Sequence, residues 1–467
     1  MKLIRRVIAF FRKDGPLNRV LLNTGYLFSS NTLGMFISAV QSILVARMIG
    51  VLGVGLVANI TKFTTNTSQL LSFRMGELVV SYAGQFYQQG EKEKAASILR
   101  SAGIIESLTS IFKFIVVLAF APLVAAHLVR QPELTPLFIF YSVSVFGNLT
   151  AQTSQAALEI FNRFDLLALL NLSQNILSFG VIAVAFFRGG TITDVVTAYL
   201  VAKLFNGIAL LVFSLIYIRR ELGKGWWKVS TAASISPREF WRFAVSSNLS
   251  ATVKLVAQES EELWITYLLS PLAAGYYNTA MKVIAMVLLP INPFIQPTFL
   301  EITTQAARRQ WDRLKDLLRK TTTIAAAWTL GVGVLLVSLG WWIIPLAYGE
   351  EFAPSNAAAL ILLVGFGAAN ILYWNRPIML ALERPVYPLV VSTIAMVVKV
   401  GLSLWLVPQY GYLMQAGLLS AFLVTTVGLN AWQGLRTIRQ REGEDRAAGV
   451  LQVDAAGGDV VSGGNGA

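Results

Sequence analysis

The 467-residue chain contains no cysteine and one histidine. The first absence excludes disulfides, thiolate nucleophiles and cysteine metal sites, and the second leaves His127 with no histidine to share a metal or a catalytic pair with. Phosphate-cradling loops, GxSxG elbows and spaced metal ligands are missing too, so neither enzymatic activity nor ATP hydrolysis, cofactor or bound metal is expected. Charged residues make up only 13% of the chain against 55% hydrophobic, and mean hydropathy is +0.61, which excludes an ordinary soluble domain. A net charge of +13 would point to nucleic acid in a soluble protein; here membrane topology accounts for it, and no nucleic-acid partner is expected. The first twenty residues scatter charge among apolar positions and lack the run that precedes a cleavage site. They read as an amphipathic helix on the inner membrane face, with Ile4, Val7, Ile8 and Phe11 opposite Arg5, Arg6, Arg12 and Lys13.

What is present is apolar sequence in long stretches. Twelve spans are predicted, at 23–49, 54–82, 101–126, 136–161, 166–187, 194–218, 243–269, 273–299, 321–346, 354–381, 386–407 and 412–435. Gly76, Pro290, Pro293, Pro297 and Pro377 interrupt several of them, which bundled membrane helices tolerate when neighbours satisfy the freed backbone groups. Basic residues crowd the N-terminus, Lys92–Arg100, Arg219–Arg242, Arg308–Lys320 and the tail after Arg436. Most intervening loops carry none, Arg130 and Arg188 excepted, so both termini are expected in the cytoplasm. The segments are therefore 1–22 (amphipathic), 23–218 (six spans), 219–242 (linker), 243–436 (six spans) and 437–467, a Gly-rich tail expected to be disordered and dispensable beyond Glu442. The linker, with Trp226, Trp227 and Trp241 among basic residues, reads as a strap on the inner leaflet, making membrane lipids a partner.

A shift of the chain by 220 residues lays GVGLVANITK on AAGYYNTAMK, so Gly55 meets Gly275 and Lys62 meets Lys282. The charged helices that follow, GEKEKAASILRSA and RQWDRLKDLLRKT, stay in register. The fold is thus expected to be an all-α polytopic membrane protein of two six-helix halves in parallel orientation.

Nine cations, Arg47, Lys62, Arg74, Lys113, Lys203, Lys254, Lys282, Arg376 and Lys399, lie within or at the ends of these spans. A charge near the bilayer centre costs at least about 2.5–3.5 kcal/mol, so it normally faces a wet interior. On the second span Lys62, Thr65, Asn66, Gln69, Phe73 and Glu77 share a third of the helix circumference, and Asn148, Gln152, Gln155 and Glu159 do so on the fourth. Such stripes suit the walls of a hydrated cavity that takes an anionic substrate. Lys62 and Lys282 are the leading binding candidates, joined by Lys254, Arg376, Arg74 and the polar walls Asn66, Gln69, Gln152 and Gln155. On the seventh span the angles put Lys254, Gln258 and Glu261 on one face, Glu262 at its margin and Glu259 far from it. Glu77 and Glu261 each share a face with a lysine, so they are the candidates for coupling to a proton or sodium gradient. Lys113, Lys203 and Lys399 lack such a stripe and are expected to pair with glutamates such as Glu106.

The stretches ILVARMIGVLGVGLVA (Ile43–Ala58), ELVVSYAGQFYQQGEKEKAASILRSA (Glu77–Ala102), NRFDLLALLN (Asn162–Asn171) and AAGYYNTAMKVIAMVLLPI (Ala273–Ile291) together resemble polysaccharide transporters of the multidrug/oligosaccharidyl-lipid/polysaccharide (MOP) superfamily. The likeness is greatest to Wzx-type oligosaccharide flippases. It implies two six-helix lobes around a central cavity. It also implies alternating access that moves an undecaprenyl-pyrophosphate-linked oligosaccharide across the cytoplasmic (inner) membrane, with glycan polymerase machinery as a partner. Only Lys282, in YNTAMK, and its repeat mate Lys62 carry over as binding residues. A multidrug exporter of the same superfamily is the main alternative. Many of those use an acidic residue in the first span, and Asn23–Ile49 has none. A lipid II flippase usually has more than twelve spans. A membrane polysaccharide polymerase or ligase typically works from long external loops, which are lacking here.

The orientation is open to direct test, because no native cysteine has to be removed. A cysteine placed at Ser230 should be silent to a membrane-impermeant maleimide added outside intact cells and react once the membrane is permeabilised.

Overall fold

The computed structural model describes residues 16–229, 252–288 and 291–447. The expected N-terminal amphipathic segment up to residue 15, the linker from Ser230 to residue 251, Pro290 and the tail beyond Ala447 lie outside the described residues. The remainder is helical, with no strand among the described residues. The chain divides into two compact units: one takes Met1–Asn278 with Ala347–Glu351, the other Thr279–Leu346 with Phe352–Ala467.

In chain order the principal helices are α1 (Pro16–Leu70), α2 (Lys92–Leu123), α3 (Thr135–Ser142), α4 (Ala151–Ile160), α5 (Phe164–Phe187), α6 (Ile192–Leu222), α7 (Glu261–Leu268), α8 (Pro271–Leu288), α9 (Asn292–Ala307), α10 (Trp311–Tyr348), α11 (Ser355–Ile371), α12 (Asn375–Ala381), α13 (Val386–Tyr410) and α14 (Tyr412–Ala447). Nine helical stretches among the described residues are long and apolar enough to cross a membrane. One of them, Ser30–Leu70, holds two spans, because Gly50 at φ 66° breaks α1. A residue with a Cβ is strained at that φ, so the turn between the spans depends on glycine. With α7 and the α8–α9 stretch the total is about twelve.

Three expected spans differ in continuity. The second, read over 54–82 with an interruption at Gly76, ends at Leu70, and the chain turns through Arg74 at φ 49° before helix resumes at Met75. The fourth is α3, a tight 3₁₀ stretch at Val143–Asn148, and then α4. A windowed hydropathy average does not report these breaks, because the apolar residues on either side outweigh Ser72, Arg74, Asn148 and Thr150. Conversely, the charged helix expected before the third span is the first turns of α2 itself, because nothing between Arg100 and Ala102 stops a helix.

The repeat is visible in the helix starts. Val51, Thr135 and Ile192 begin or resume helices, and so do Pro271, Ser355 and Tyr412, each 220 residues later. The two glycines aligned by sequence face each other: a Cβ on Gly55 would lie 1.9 Å from the Pro271 carbonyl oxygen, and one on Gly275 would lie 2.2 Å from that of Val51. Gly147 and Gly207 bring the fourth span and α6 together in the same way, with a Cβ on Gly207 falling 2.0 Å from the Gly147 oxygen. Lipid offers no hydrophobic drive for helix association, so close backbone approach at small residues takes its place.

At the end of the second unit the expected disordered tail starts too early. Helix α14 runs to Ala447, with Glu442 and Asp445 buried. Asp445 accepts hydrogen bonds from Arg309 Nη1 (2.6 Å) and Trp311 Nε1 (2.7 Å), and both Glu442 oxygens accept from Lys315 Nζ at 2.9 Å. These contacts fasten α14 to the start of α10 beside a core of Ile302, Leu314, Trp374, Ile378 and Ile438. Gly443, the supposed start of the tail, is one residue inside a helix that tertiary contacts continue. In the first unit, Trp226 packs on the core formed by Met75, Leu78, Ile98 and Ala157, whereas Trp227 is exposed, so only part of the tryptophan strap is free to meet lipid.

Truncation after Glu442 should therefore lower stability by about 1–3 kcal/mol, the cost of stripping the Trp311 and Arg309 donors of their acceptor. Truncation after Ala447 should leave the melting temperature in detergent unchanged.

Candidate substrate cavity

A cavity of about 880 Å³ opens in the first unit. Its wall comes from the end of the second span (Thr65, Ser68, Gln69), the break that follows (Ser72, Arg74, Glu77), α2 (Glu106, Lys113), the fourth span and the seventh. The four fourth-span residues read as one face, Asn148, Gln152, Gln155 and Glu159, all line it. On the second span Thr65 and Gln69 do as well, but Phe73 packs on the core beside Met75, and Glu77 reaches the wall only because the break redirects it. Helical angles hold as far as the helix does.

The wall is not biased positive. It carries the cations Arg74, Lys113 and Lys254 against the carboxylates Glu77, Glu106, Glu159 and Glu259. Arg74 donates to Glu77, and Lys254 pairs with Glu259 at 2.9 Å. The second pair corrects the sequence reading, which set Glu259 far from the lysine. Leu255–Glu259 is a π-helical turn, whose wider winding carries residue i+5 round to the side of residue i. The first corrects the idea that Glu77 shares a face with Lys62, since the helix between them is interrupted.

Lys62 is not among the lining residues. Its ammonium lies 3.5 Å from Glu262 Oε2 and donates to the Glu259 carbonyl at 3.3 Å, an oxygen that Asn66 Nδ2 also reaches at 3.3 Å. Glu262 is buried and accepts a further bond from Asn278. Glu261, expected to share a watery space with Lys254, is fully buried and accepts from the Tyr277 hydroxyl at 3.1 Å. The turn ends at Ser260, so Glu261 starts a new helix and faces α8 instead. Lys282 and Arg376 belong to the second unit. Lys282 is half-buried and has a partner; Arg376, next to Pro377 on α12, is exposed.

Gln152 and Gln155 are held in the wall by specific bonds. Gln152 Nε2 donates to Ser72 Oγ at 2.8 Å, and its side-chain oxygen faces the Gly76 N–H at 3.5 Å, so the breaks of the second and fourth spans touch through one side chain. Gln155 Nε2 donates to Glu159 at 2.9 Å. The residue that sequence reasoning missed is Glu106. It does not form an ion pair with Lys113; its two oxygens accept the N–H groups of Gln152 and Thr153, each at 2.9 Å. These are orphan donors at the start of α4, where Thr150 supplies no side-chain cap. Each charge-assisted bond is worth about 1.5–3 kcal/mol, and the positive end of the helix dipole adds to this. A lone glutamate in an apolar run was the available signal, but nothing in the sequence said that its partner would be main chain.

The chain is similar in fold to the inward-facing conformation of a MATE-family multidrug-resistance transporter of the MOP superfamily (TM-score 0.68, 12% identity, covering 89% of this chain and 96% of that one). It is equally similar to the lipid II flippase MurJ in an inward closed conformation (0.68, 14%, 90% and 91%). A MOP-superfamily transporter from Pyrococcus furiosus, described as having a binding pocket of reverse polarity, aligns at 0.59 with 14% identity over 91% and 96% of the two chains. No curated protein matches the chain. Residues 20–303, more than half of it, match the family described as polysaccharide biosynthesis protein. The chain therefore belongs to that polysaccharide biosynthesis family, and it has the fold of MOP-superfamily transporters.

Proposed function

We propose that the protein is a flippase that carries a polyprenyl-pyrophosphate-linked oligosaccharide from the inner to the outer leaflet of the cytoplasmic membrane by alternating access. The observation that carries this reading is the composition of the cavity wall. Fifteen of its nineteen lining residues carry a hydroxyl, a carboxamide or a charge, its apolar side chains are Val80, Ala151 and Ala156, and it contains no aromatic ring among the described residues. Pockets for drug-like molecules are mainly apolar and aromatic. A sugar, which presents hydroxyls on every side, matches a wall of Gln69, Asn148, Gln152 and Gln155. Family membership in polysaccharide biosynthesis supports the same choice, whereas the fold is shared with drug exporters and does not decide it.

On this reading the pyrophosphate draws Arg74 and Lys254 from their carboxylate partners; both side chains are substantially exposed and so can swing. Lys62, held by Glu262 outside the lining, contributes field rather than direct contact. A proton or sodium gradient drives the cycle, and the product passes to glycan polymerase machinery on the outer face.

Purified protein in vesicles should move a fluorescent polyprenyl-pyrophosphate oligosaccharide between leaflets and should not accumulate cationic dyes. Gln152→Ala and Gln155→Ala should each slow flipping about fivefold, the equivalent of one hydrogen bond of about 1 kcal/mol. Dye transport without oligosaccharide movement would overturn the proposal. Lys62→Gln should destabilise the protein by leaving buried Glu262 unpaired, and adding Glu262→Gln should restore much of the loss. If Lys62 serves only the substrate, the single variant should instead melt like the parent.

A further inference from the structure

The cavity wall depends on a helix cap supplied from another helix. The fourth span is cut between Asn148 and Ala151, and its lower half, α4, carries Gln152, Gln155 and Glu159 into the cavity. No local side chain caps this half-helix. The cap is Glu106, reaching across from α2 to accept two main-chain N–H groups at 2.9 Å. Glu106 is only 4% exposed as a residue, yet it lines the cavity, so a proton arriving through the cavity can reach it.

We propose that Glu106 is the positioning residue through which proton binding controls the substrate wall. As a carboxylate it holds α4 by both oxygens. As a neutral acid it loses the charge that strengthens both bonds, and the oxygen that takes the proton becomes an O–H donor and a poor acceptor, so the hold on the two N–H groups weakens. Release of the α4 start also frees Gln152, whose bonds to Ser72 and Gly76 tie the fourth span to the break in the second. Proton binding at one site thereby loosens the two broken spans together. Lys113, two turns along α2, is the cation on the same helix whose charge favours the carboxylate; Arg74, Lys254, Glu77, Glu159 and Glu259 also line the cavity. This latch rests on the transporter reading but differs from the expected coupling groups. Glu77 is paired with its neighbour Arg74, and Glu261 is buried against Tyr277 outside the cavity lining.

The test needs no substrate, so its outcome is independent of whether the flippase reading survives. A nitroxide is attached to a cysteine introduced by Gln155→Cys, in a chain that has no other cysteine, and its spectrum is recorded in nanodiscs across pH. The ratio of mobile to immobile label should rise as pH falls, about tenfold per pH unit on one side of a single-proton midpoint. Glu106→Gln should give the mobile spectrum at every pH, and Glu106→Asp should keep a titration with a shifted midpoint. Lys113→Met, which removes a cation that favours the carboxylate, should move the midpoint to higher pH; this variant keeps the test decisive if Glu106→Gln does not fold. A spectrum that ignores pH in the native background overturns the proposal. So does a titration that survives unchanged in Glu106→Gln or Lys113→Met.

Discussion

Inside a bilayer, a backbone N–H or C=O that leaves the helical ladder has no water to turn to, and each unsatisfied group costs several kcal/mol. This protein breaks its second and fourth spans regardless, after Leu70 and between Asn148 and Ala151. The breaks are tolerated because side chains replace the missing partners. Glu106 accepts the first free N–H groups of the lower fourth span, and Gln152 bridges from there to Ser72 and the Gly76 amide. The first-unit cavity lies where these repairs are made. Polar groups are required there to satisfy the backbone, and on the proposed function the same groups bind sugar hydroxyls.

The second consequence concerns charge. Each exposed cation of the first-unit wall has a carboxylate within reach, Arg74 with Glu77 and Lys254 with Glu259. A surplus of lysine and arginine over the whole chain thus becomes a nearly balanced wall. Partly exposed pairs of this kind hold weakly, because water screens them and the side chains lose freedom when paired. On the proposed function they open to admit a phosphate and close again after it leaves. The buried Glu262 and its partner Lys62 are different: there the carboxylate is out of water, and losing the lysine exposes the cost of its burial.

Glycine supplies the third element. Among the glycines of the first unit, the tightest approaches to a neighbouring helix are made by the repeat mates Gly55 and Gly275 and by Gly207 against Gly147. At 1.9–2.2 Å from a facing carbonyl oxygen, a Cβ would force the helices apart. The internal duplication therefore has a physical meaning here: each copy contributes the small residue that allows the other to approach.

Much was readable from the sequence alone. Hydropathy and length gave the spans, loop charge gave an expected orientation, and a 220-residue offset gave the repeat, down to the glycines that touch. The polar face of the fourth span was legible because Asn148, Gln152, Gln155 and Glu159 keep helical spacing across the break. The rest depended on departures from ideal helix geometry, which composition does not encode. A π-turn brought Glu259 to Lys254 and sent Glu261 into the packing, and the kink at Arg74 separated Glu77 from Lys62. Helix α14 continued past Gly443 because Trp311, Arg309 and Lys315, distant in sequence, supply partners for Asp445 and Glu442. Local sequence thus determined where helices can form and which side is polar. Only the tertiary structure decided which charges meet and which backbone groups need a carboxylate, because those partners lie tens to hundreds of residues away and a single added residue in a turn rotates every side chain that follows.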